Sequence, residues 1–198
     1  MPRRLPSLLL ALLLGSAGLL TGCDTDGPES LLGKFEGSVV VEGVARDSLR
    51  GEAVYTLVDT PDGPEFVLGL FIGDLLESDY DRYDFIVFRR LGDRPGVGGY
   101  TIDDDPDSGA VVTATYANVD DADDPRTARG TILRGTTGLL AITRVDPYGF
   151  ISGSFRFEGE GLPVGSPTLL FEGAADGRFE ARYESPGFLR SLGADLDL

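Results

Sequence analysis

Hydrophobic and polar positions alternate with a period of two from residue 33 onward, which is typical of half-buried β-strands. In the segment 33–41, Phe35 and Val39 share one face of such a strand, while Glu36 lies on the other. The segment 150–159 repeats the pattern, with apolar residues or glycine at alternate positions and polar residues between them. This alternation predicts strands that each present one face to a core and the other to solvent.

Turn residues separate these segments, as at 61–63 (Pro-Asp-Gly) and 146–149 (Asp-Pro-Tyr-Gly). A further turn is predicted at 176–177 (Asp-Gly). We count about nine or ten short strands and no convincing long helix. The chain is therefore predicted to be all-β, an antiparallel meander that closes as an up-and-down, calycin-like β-barrel, with a β-sandwich as the alternative. The tail 185–198 has leucines at helix-like spacing, which predicts one short helix over an open end of the fold.

Two predicted strands, 65–73 and 83–91, are apolar on both faces, which indicates that a second surface covers them. We expect this cover from the connection 75–80 or from the C-terminal tail. A small barrel holds either its own side chains or one small apolar ligand. We expect side chains to fill the core, and a ligand-binding role is the alternative. The candidates for a ligand lining are Phe66, Leu68, Leu70, Phe85, Val87, Phe155, Phe157 and Tyr183.

The composition narrows the chemistry that is open to the chain. Its 198 residues include 17 basic and 33 acidic side chains, and the net charge of −16 repels nucleic acid and anionic lipid headgroups. There is no histidine, so neither an imidazole base nor a histidine-ligated zinc site can form. A hydrolase that uses two carboxylates is the least favoured hypothesis, because so many carboxylates make some close pair inevitable.

Acidic side chains are densest in two predicted loops. Asp103, Asp105 and Asp107 occupy alternate positions, as the first three ligands of a calcium loop do. The pattern lacks the glycine that such a loop needs at its sixth position, where this chain has Ser108. The second acidic loop, 118–126, would have to neighbour the first to complete a site. We expect both acidic loops to be solvated, and calcium binding is the alternative. No other cofactor is expected.

Basic residues cluster at one place in this acidic chain. Arg89 and Arg90 lie at the end of a predicted strand, and Arg94 follows closely. Ion pairs with acidic neighbours are the expected use of this cluster. Contact with an anionic glycan or peptide is the alternative.

The N-terminus has the features of a secretory signal. Arg3 and Arg4 precede an apolar run, 5–20, which leads to small residues and a cysteine. The run is too short, and too interrupted by glycine and serine, to span a bilayer well. The predicted organisation is a signal peptide at 1–22, a tether at 23–32, one β domain at 33–184 and a tail at 185–198.

The tetrapeptide at 20–23, Leu-Thr-Gly-Cys, resembles the lipobox of bacterial lipoproteins, whose cysteine is lipidated and becomes the first mature residue. The resemblance implies that Cys23 anchors the chain in a membrane through acyl chains. Two or more such chains make an attachment durable, because each buried CH₂ contributes about 0.8 kcal/mol. We therefore predict a membrane as the partner of Cys23.

Three stretches of the last third are 140–146 (LAITRVD), 151–157 (ISGSFRF) and 177–183 (GRFEARY). They resemble the C-terminal half of small β-rich lipoproteins of Bacteroidetes-type bacteria. The resemblance implies a calycin-like or lipocalin-like antiparallel fold with no established activity. In such bacteria, acidic residues after the cysteine, here Asp24 and Asp26, are similar to a surface-export signal, which favours the outer membrane. A competing rule takes an aspartate directly after the cysteine as a signal for inner-membrane retention.

These patterns together favour a lipid-anchored protein of the cell envelope that acts as a non-catalytic binding or structural module. The alternative function is a lipocalin-like carrier of a small apolar ligand. No residue pattern in the sequence identifies a protein partner.

Overall fold

The computed structural model describes residues 32–41, 44–73, 82–104, 111–120, 128–164 and 170–187. The nine elements of this described part are all β-strands: β1 Gly33–Val41, β2 Val44–Thr60, β3 Gly63–Ile72, β4 Arg82–Leu91, β5 Gly98–Ile102, β6 Thr113–Asp120, β7 Arg129–Val145, β8 Phe150–Pro163 and β9 Phe171–Tyr183. They belong to the unit Leu32–Leu198, and residues 1–31 form a separate unit. The predicted signal peptide, Cys23 and tail residues 188–198 lie outside the described residues.

Eight strands form a closed antiparallel barrel, in the order β1-β2-β3-β4-β6-β7-β8-β9, and β9 pairs back onto β1. β5 is the additional strand. It pairs with β7 at 138–142, beyond the part of β7 that pairs with β6. The predicted all-β meander and up-and-down, calycin-like barrel are thus confirmed, and the sandwich alternative is wrong. No helix in the described part of the chain is long and apolar enough to cross a membrane.

The connections between barrel strands alternate between its two ends, because consecutive strands run antiparallel. The hairpin end carries the turns at 60–63 and 146–149 and the loop at 92–97. The loop end lies at the other ends of the same strands. Its connections are 42–43, 74–81, 121–127 and 165–169, all outside the described residues.

Each large inward residue of β8 or β9 has a small residue as its cross-strand partner on the other strand. The inward cross-strand pairs are Ile151–Ala181, Gly153–Phe179, Phe155–Gly177, Phe157–Ala175 and Gly161–Phe171. A Cβ added to Gly153 would lie 2.8 Å from the ring of Phe179, and one added to Gly161 would lie 2.2 Å from the ring of Phe171. The glycines of these strands therefore make room for aromatic rings that fill the barrel.

The turn predicted at 176–177 is wrong, because β9 runs without interruption through these residues. Gly177 pairs with Gly37 of β1 on one side and with Phe155 of β8 on the other. An Asp-Gly pair favours a turn locally, but here both edges of the strand are hydrogen-bonded in the barrel wall. The strand before the 146–149 turn is long: β7 runs from Arg129 to Val145, with an irregular register near Gly135.

A second buried cluster lies on the outer face of β2, β3, β4 and β6, and consists of Val54, Val67, Phe71, Phe85, Val87 and Ala117. The two faces of β3 and β4 are thus both buried, as their double apolar pattern predicts. Leu32 packs against this outer cluster at the point where the chain enters the barrel. The predicted covering segments, 75–80 and most of the tail, lie outside the described residues.

Candidate functional site

The middle of the barrel is filled by aromatic side chains. The ring of Phe88 on β4 lies 5.2 Å from that of Phe155 and 6.1 Å from that of Phe157, both on β8. β4 and β8 belong to facing parts of the wall, since two strands separate them in one direction and four in the other. The rings therefore meet across the barrel, and side chains occupy this level of its interior.

Five of the eight candidate lining residues belong to the inner core, namely Phe66, Leu68, Leu70, Phe155 and Phe157. Phe85 and Val87 do not, because they lie in the outer cluster. The reason is the register of β3 and β4, which pairs the inward Leu68 with Phe88 and the inward Leu70 with Ile86. Cross-strand partners face the same side of a sheet, so Phe88 and Ile86 point inward and their neighbours point outward.

The eighth candidate, Tyr183, lies at the hairpin end and is 45% exposed. Its ring stands edge-on to that of Tyr55, at 5.5 Å between centroids. Tyr55 is buried, and its hydroxyl accepts a hydrogen bond from Nη1 of Arg94 at 3.2 Å. Tyrosine rings and an arginine thus meet at the hairpin end of the barrel.

A second arginine lies at the same end. Arg90 is the cross-strand partner of the inward residue Phe66, and its guanidinium lies 5.5 Å from the centre of the Tyr100 ring. Nη1 of Arg90 donates a hydrogen bond to the carbonyl oxygen of Asp93 at 3.2 Å, while its Nε is buried without a hydrogen-bond partner. We call these residues, Tyr55, Arg90, Arg94, Tyr100 and Tyr183, the arginine–tyrosine rim.

The structure divides the basic cluster between two uses. Arg89 points outward and forms an ion pair with Glu65, at 3.7 Å, as the sequence led us to expect. Arg90 and Arg94 form no ion pair with any carboxylate among the residues that the structure describes. Adjacent residues of a strand face opposite sides, so Arg90 points toward the barrel interior while Arg89 meets the acidic surface.

An ion pair spans the inner face of β3 near the loop end. Arg46 of β2 donates two hydrogen bonds to the carboxylate of Asp84 on β4, at 2.9 and 3.2 Å. A further hydrogen bond joins Arg46 to the hydroxyl of the buried Tyr116 on β6. The bond to Asp84 is the main cause that raises the pKa of Arg46, and partial burial opposes it.

A β-bulge directs Arg46 into the barrel. Gly37 of β1 pairs with Leu49, but the next inward residue, Val39, pairs with Arg46, so β2 holds one extra residue. Ser48 lies in this bulge with φ of 61°, in the left-handed region. Simple alternation from Leu49 would turn Arg46 outward, and the extra residue reverses that direction.

The sequence did not predict the cluster of Arg46, Asp84 and Tyr116. Its only local signal is an aspartate one residue before the doubly apolar part of β4, and that signal does not point to a partner. Arg46 and Asp84 are 38 residues apart, and only the bulge in β2 brings them to one face. Arg90 and Arg94 were visible as a basic cluster, but not as neighbours of three tyrosines.

Asp103 and Asp120, which belong to the described parts of the two acidic loops, lie far apart along β6. The backbone N–H of Asp103 donates to the carbonyl of Val112, at the start of β6, whereas Asp120 ends that strand. Eight steps along a strand span roughly 25 Å. Asp120 therefore cannot share a calcium ion with Asp103, while Asp105 and Asp107 lie outside the described residues. Within the described part of the chain, no three acidic, cysteine or histidine residues are grouped as metal ligands.

Two shallow grooves, of about 730 and 630 Å³, run over the outer faces of β1, β2, β8 and β9. Charged side chains here largely pair with one another. Arg178 forms an ion pair with Glu36, and Glu180 accepts a bond from Arg144 at 2.5 Å. Because opposite charges already offset one another here, the arginine–tyrosine rim is the stronger candidate for a binding site.

Comparisons of this chain with protein-family models, with curated proteins and with solved structures gave no match.

Proposed function

We propose that the chain is a lipid-anchored module of the cell envelope, which binds a partner at its surface and catalyses no reaction. Cys23 carries the anchor in this proposal, and the outer membrane is the favoured location. The likeness of the last third to small β-rich lipoproteins supports the same assignment. The barrel then presents its binding surface at a distance from the membrane set by the tether, 23–32.

The observation that carries this proposal is the contact of Phe88 with Phe155 and Phe157 across the barrel. A carrier needs space along the barrel axis, whereas these rings occupy it. Twelve large side chains of the core, Phe88 and Phe157 among them, are less than 2% exposed. A packed interior supports recognition at the ends or on the outside of the barrel.

The test is a titration of the mature chain with the fluorescent apolar probe 1-N-phenylnaphthylamine. Cys23→Ser in this sample keeps lipid and detergent out of the assay. We expect no saturable rise in fluorescence while the barrel is folded. Saturable binding at one site in the unmodified interior would overturn the proposal in favour of the carrier.

Phe88→Ala provides the positive control, because it removes the ring that contacts both phenylalanines of β8. Apolar cavities of about 150 Å³ bind benzene, so benzene should raise the melting temperature of this variant and not that of the parent. The substitution costs about 3–5 kcal/mol of stability. Phe88→Leu removes less volume and serves as the control if the alanine variant does not fold.

A lipocalin-like carrier is the alternative function, and the closure of eight strands favours it, since barrels of this size also hold single ligands. The two functions differ in one measurable property. A carrier binds the apolar probe inside the barrel, in competition with its natural ligand. A surface-binding module leaves the probe free.

A further inference from the structure

We infer that the arginine–tyrosine rim is a binding site for an acidic saccharide, whose carboxylate contacts Arg90 and Arg94 while its sugar ring packs on Tyr183, the most exposed tyrosine of the rim. The inference rests on the proposed function, because it names the ligand class of a surface-binding module. It adds a location, the hairpin end of the barrel, and two residues that supply the charge.

The charge state of the rim is the first argument. The chain has 33 acidic residues, yet Arg90 and Arg94 contact only neutral groups among the described residues: a tyrosine hydroxyl, a tyrosine ring and a backbone carbonyl. No carboxylate of the described residues therefore neutralises their positive charges. An oxyanion supplies what is missing, since charge-assisted hydrogen bonds are about twice as strong as neutral ones.

The placement of Arg90 is the second argument. Gly92 has a φ of 108°, and a Cβ at this position would lie 3.3 Å from Nη1 of Arg90. The Asp93 carbonyl and the Tyr100 ring hold the same guanidinium from two further directions. A preorganised arginine loses less entropy on binding than a free one.

The carboxylate of Asp146, at this end of the barrel, is engaged in its own turn. Both backbone N–H groups of Tyr148 and Phe150 donate to Oδ1 of Asp146, each at 2.9 Å, within the turn that joins β7 and β8. This carboxylate is committed to holding its own turn. It therefore competes little with a ligand for the arginines.

The exposed aromatic and apolar surface at the hairpin end is the third argument, and it selects the ligand class. Tyr148 is 86% exposed and Val97 is 68% exposed, both in connections at the hairpin end, and Tyr183 adds a half-exposed ring. Tyrosine rings present a flat apolar face together with a polar tip. A sugar ring with its own carboxylate matches such a surface better than a bare inorganic anion does.

Isothermal titration calorimetry on the full chain in a nonionic detergent tests the inference with three probes. They are a galacturonate trimer, its neutral methyl ester and inorganic phosphate. We expect the trimer to bind with an affinity that falls as salt is added, because salt screens exposed charges. We expect the ester to bind at least tenfold more weakly than the trimer. Equal binding of phosphate and trimer would overturn the saccharide assignment, as would binding of none of the three.

Variants locate the site. Arg94→Gln lies in an exposed loop and leaves the barrel strands intact, so it should fold and weaken trimer binding about tenfold, as expected for the loss of one charge-assisted hydrogen bond. Arg90→Gln should have an effect of similar size. Arg129→Gln makes the same charge change at an exposed position near the loop end and should leave binding unchanged.

If Arg94→Gln binds the trimer as tightly as the parent does, the rim is excluded as the binding site, whatever the behaviour of Arg90→Gln. Failure here is distinguishable from failure of the proposed function. The apolar-probe titration tests the barrel interior, whereas the saccharide titration tests the rim. If the protein binds neither the apolar probe nor the saccharide, the proposed packed interior stands and only the assignment of an acidic saccharide to the rim is wrong.

Discussion

Phe155 of β8 lies against Gly177 of β9, its cross-strand partner, and a Cβ at Gly177 would fall 2.8 Å from the Phe155 ring. The same Cβ would lie 2.6 Å from the carbonyl oxygen of Glu36 on β1. One glycine thus lets two neighbouring strands and one ring approach each other. The ring in turn reaches Phe88 on the facing wall, so this contact helps to set the packing of the interior.

Gly177→Ala should lower the free energy of unfolding by about 1–3 kcal/mol, because the backbone of β1 cannot move away from the new methyl group. Urea denaturation followed by circular dichroism measures the change. Gly96→Ala is the matched control, since no heavy atom lies within 4 Å of a Cβ at that position. Equal stability of Gly177→Ala and the parent would show that β9 does not approach β1 and β8 so closely.

Arg46→Met should lower the free energy of unfolding by about 1–3 kcal/mol, since it leaves the largely buried Asp84 carboxylate without its guanidinium partner. Arg156→Met is the control, because Arg156 is 80% exposed and its ion pair with Glu158 is long, at 3.9 Å. This control should show no measurable change. Chemical denaturation of both variants tests the difference, and an equal effect of the two would contradict a structural role of the inner pair.

The stability that Arg46 contributes should not vary with pH in the neutral range. Its pKa is raised in the folded state, chiefly by Asp84, so the contribution is fully present below the pKa of the unfolded chain. This contribution is lost only as the pH rises through the pKa of Arg46 in the folded state, which is higher still. The difference in stability between Arg46→Met and the parent should therefore be constant from about pH 6 to pH 9. A steady decline of this difference between pH 6 and pH 9 would contradict the raised pKa of Arg46 in the folded state.

Replacements at Ser48 should follow the order glycine, serine, valine in stability. Ser48 is exposed and has a φ of 61°, a conformation that costs non-glycine residues about 1–2 kcal/mol and β-branched residues more. Ser48→Gly should leave stability unchanged or raise it by up to about 1 kcal/mol. Ser48→Val should lower it by about 1–2 kcal/mol. Thermal melts measure the order, and a valine variant as stable as the parent would argue against the bulge.

Cys23→Ser should move the protein from the membrane fraction to the soluble fraction, because the acyl chains have no other point of attachment in the proposal. Fractionation of cells that express each form measures the distribution. The soluble form should keep the β-rich circular dichroism spectrum of the parent, since Cys23 lies outside the barrel strands. Retention of Cys23→Ser in the membrane would contradict a lipid anchor at this residue.

The sequence by itself determined most of the strands and their all-β, antiparallel class, and it left closure into a barrel or a sandwich open. Alternation depends only on residues two apart, and turn chemistry depends only on four neighbours, so both survive without tertiary information. Phe66, Leu68 and Leu70 were correctly assigned to one face for this reason. Phe85 and Val87 were not, because a strand that is apolar on both sides does not say which face is inner.

Tertiary structure alone decided which residues meet. The register of β3 with β4 turned Phe88 inward, the bulge at Ser48 turned Arg46 toward Asp84, and pairing on both edges turned the Asp-Gly at 176–177 into the middle of a strand. Each of these outcomes depends on hydrogen bonds between distant segments, where a shift of one residue exchanges the two faces of a strand. The rim arose in the same way, because barrel closure brings Tyr183 of the last strand to Tyr55 of the second.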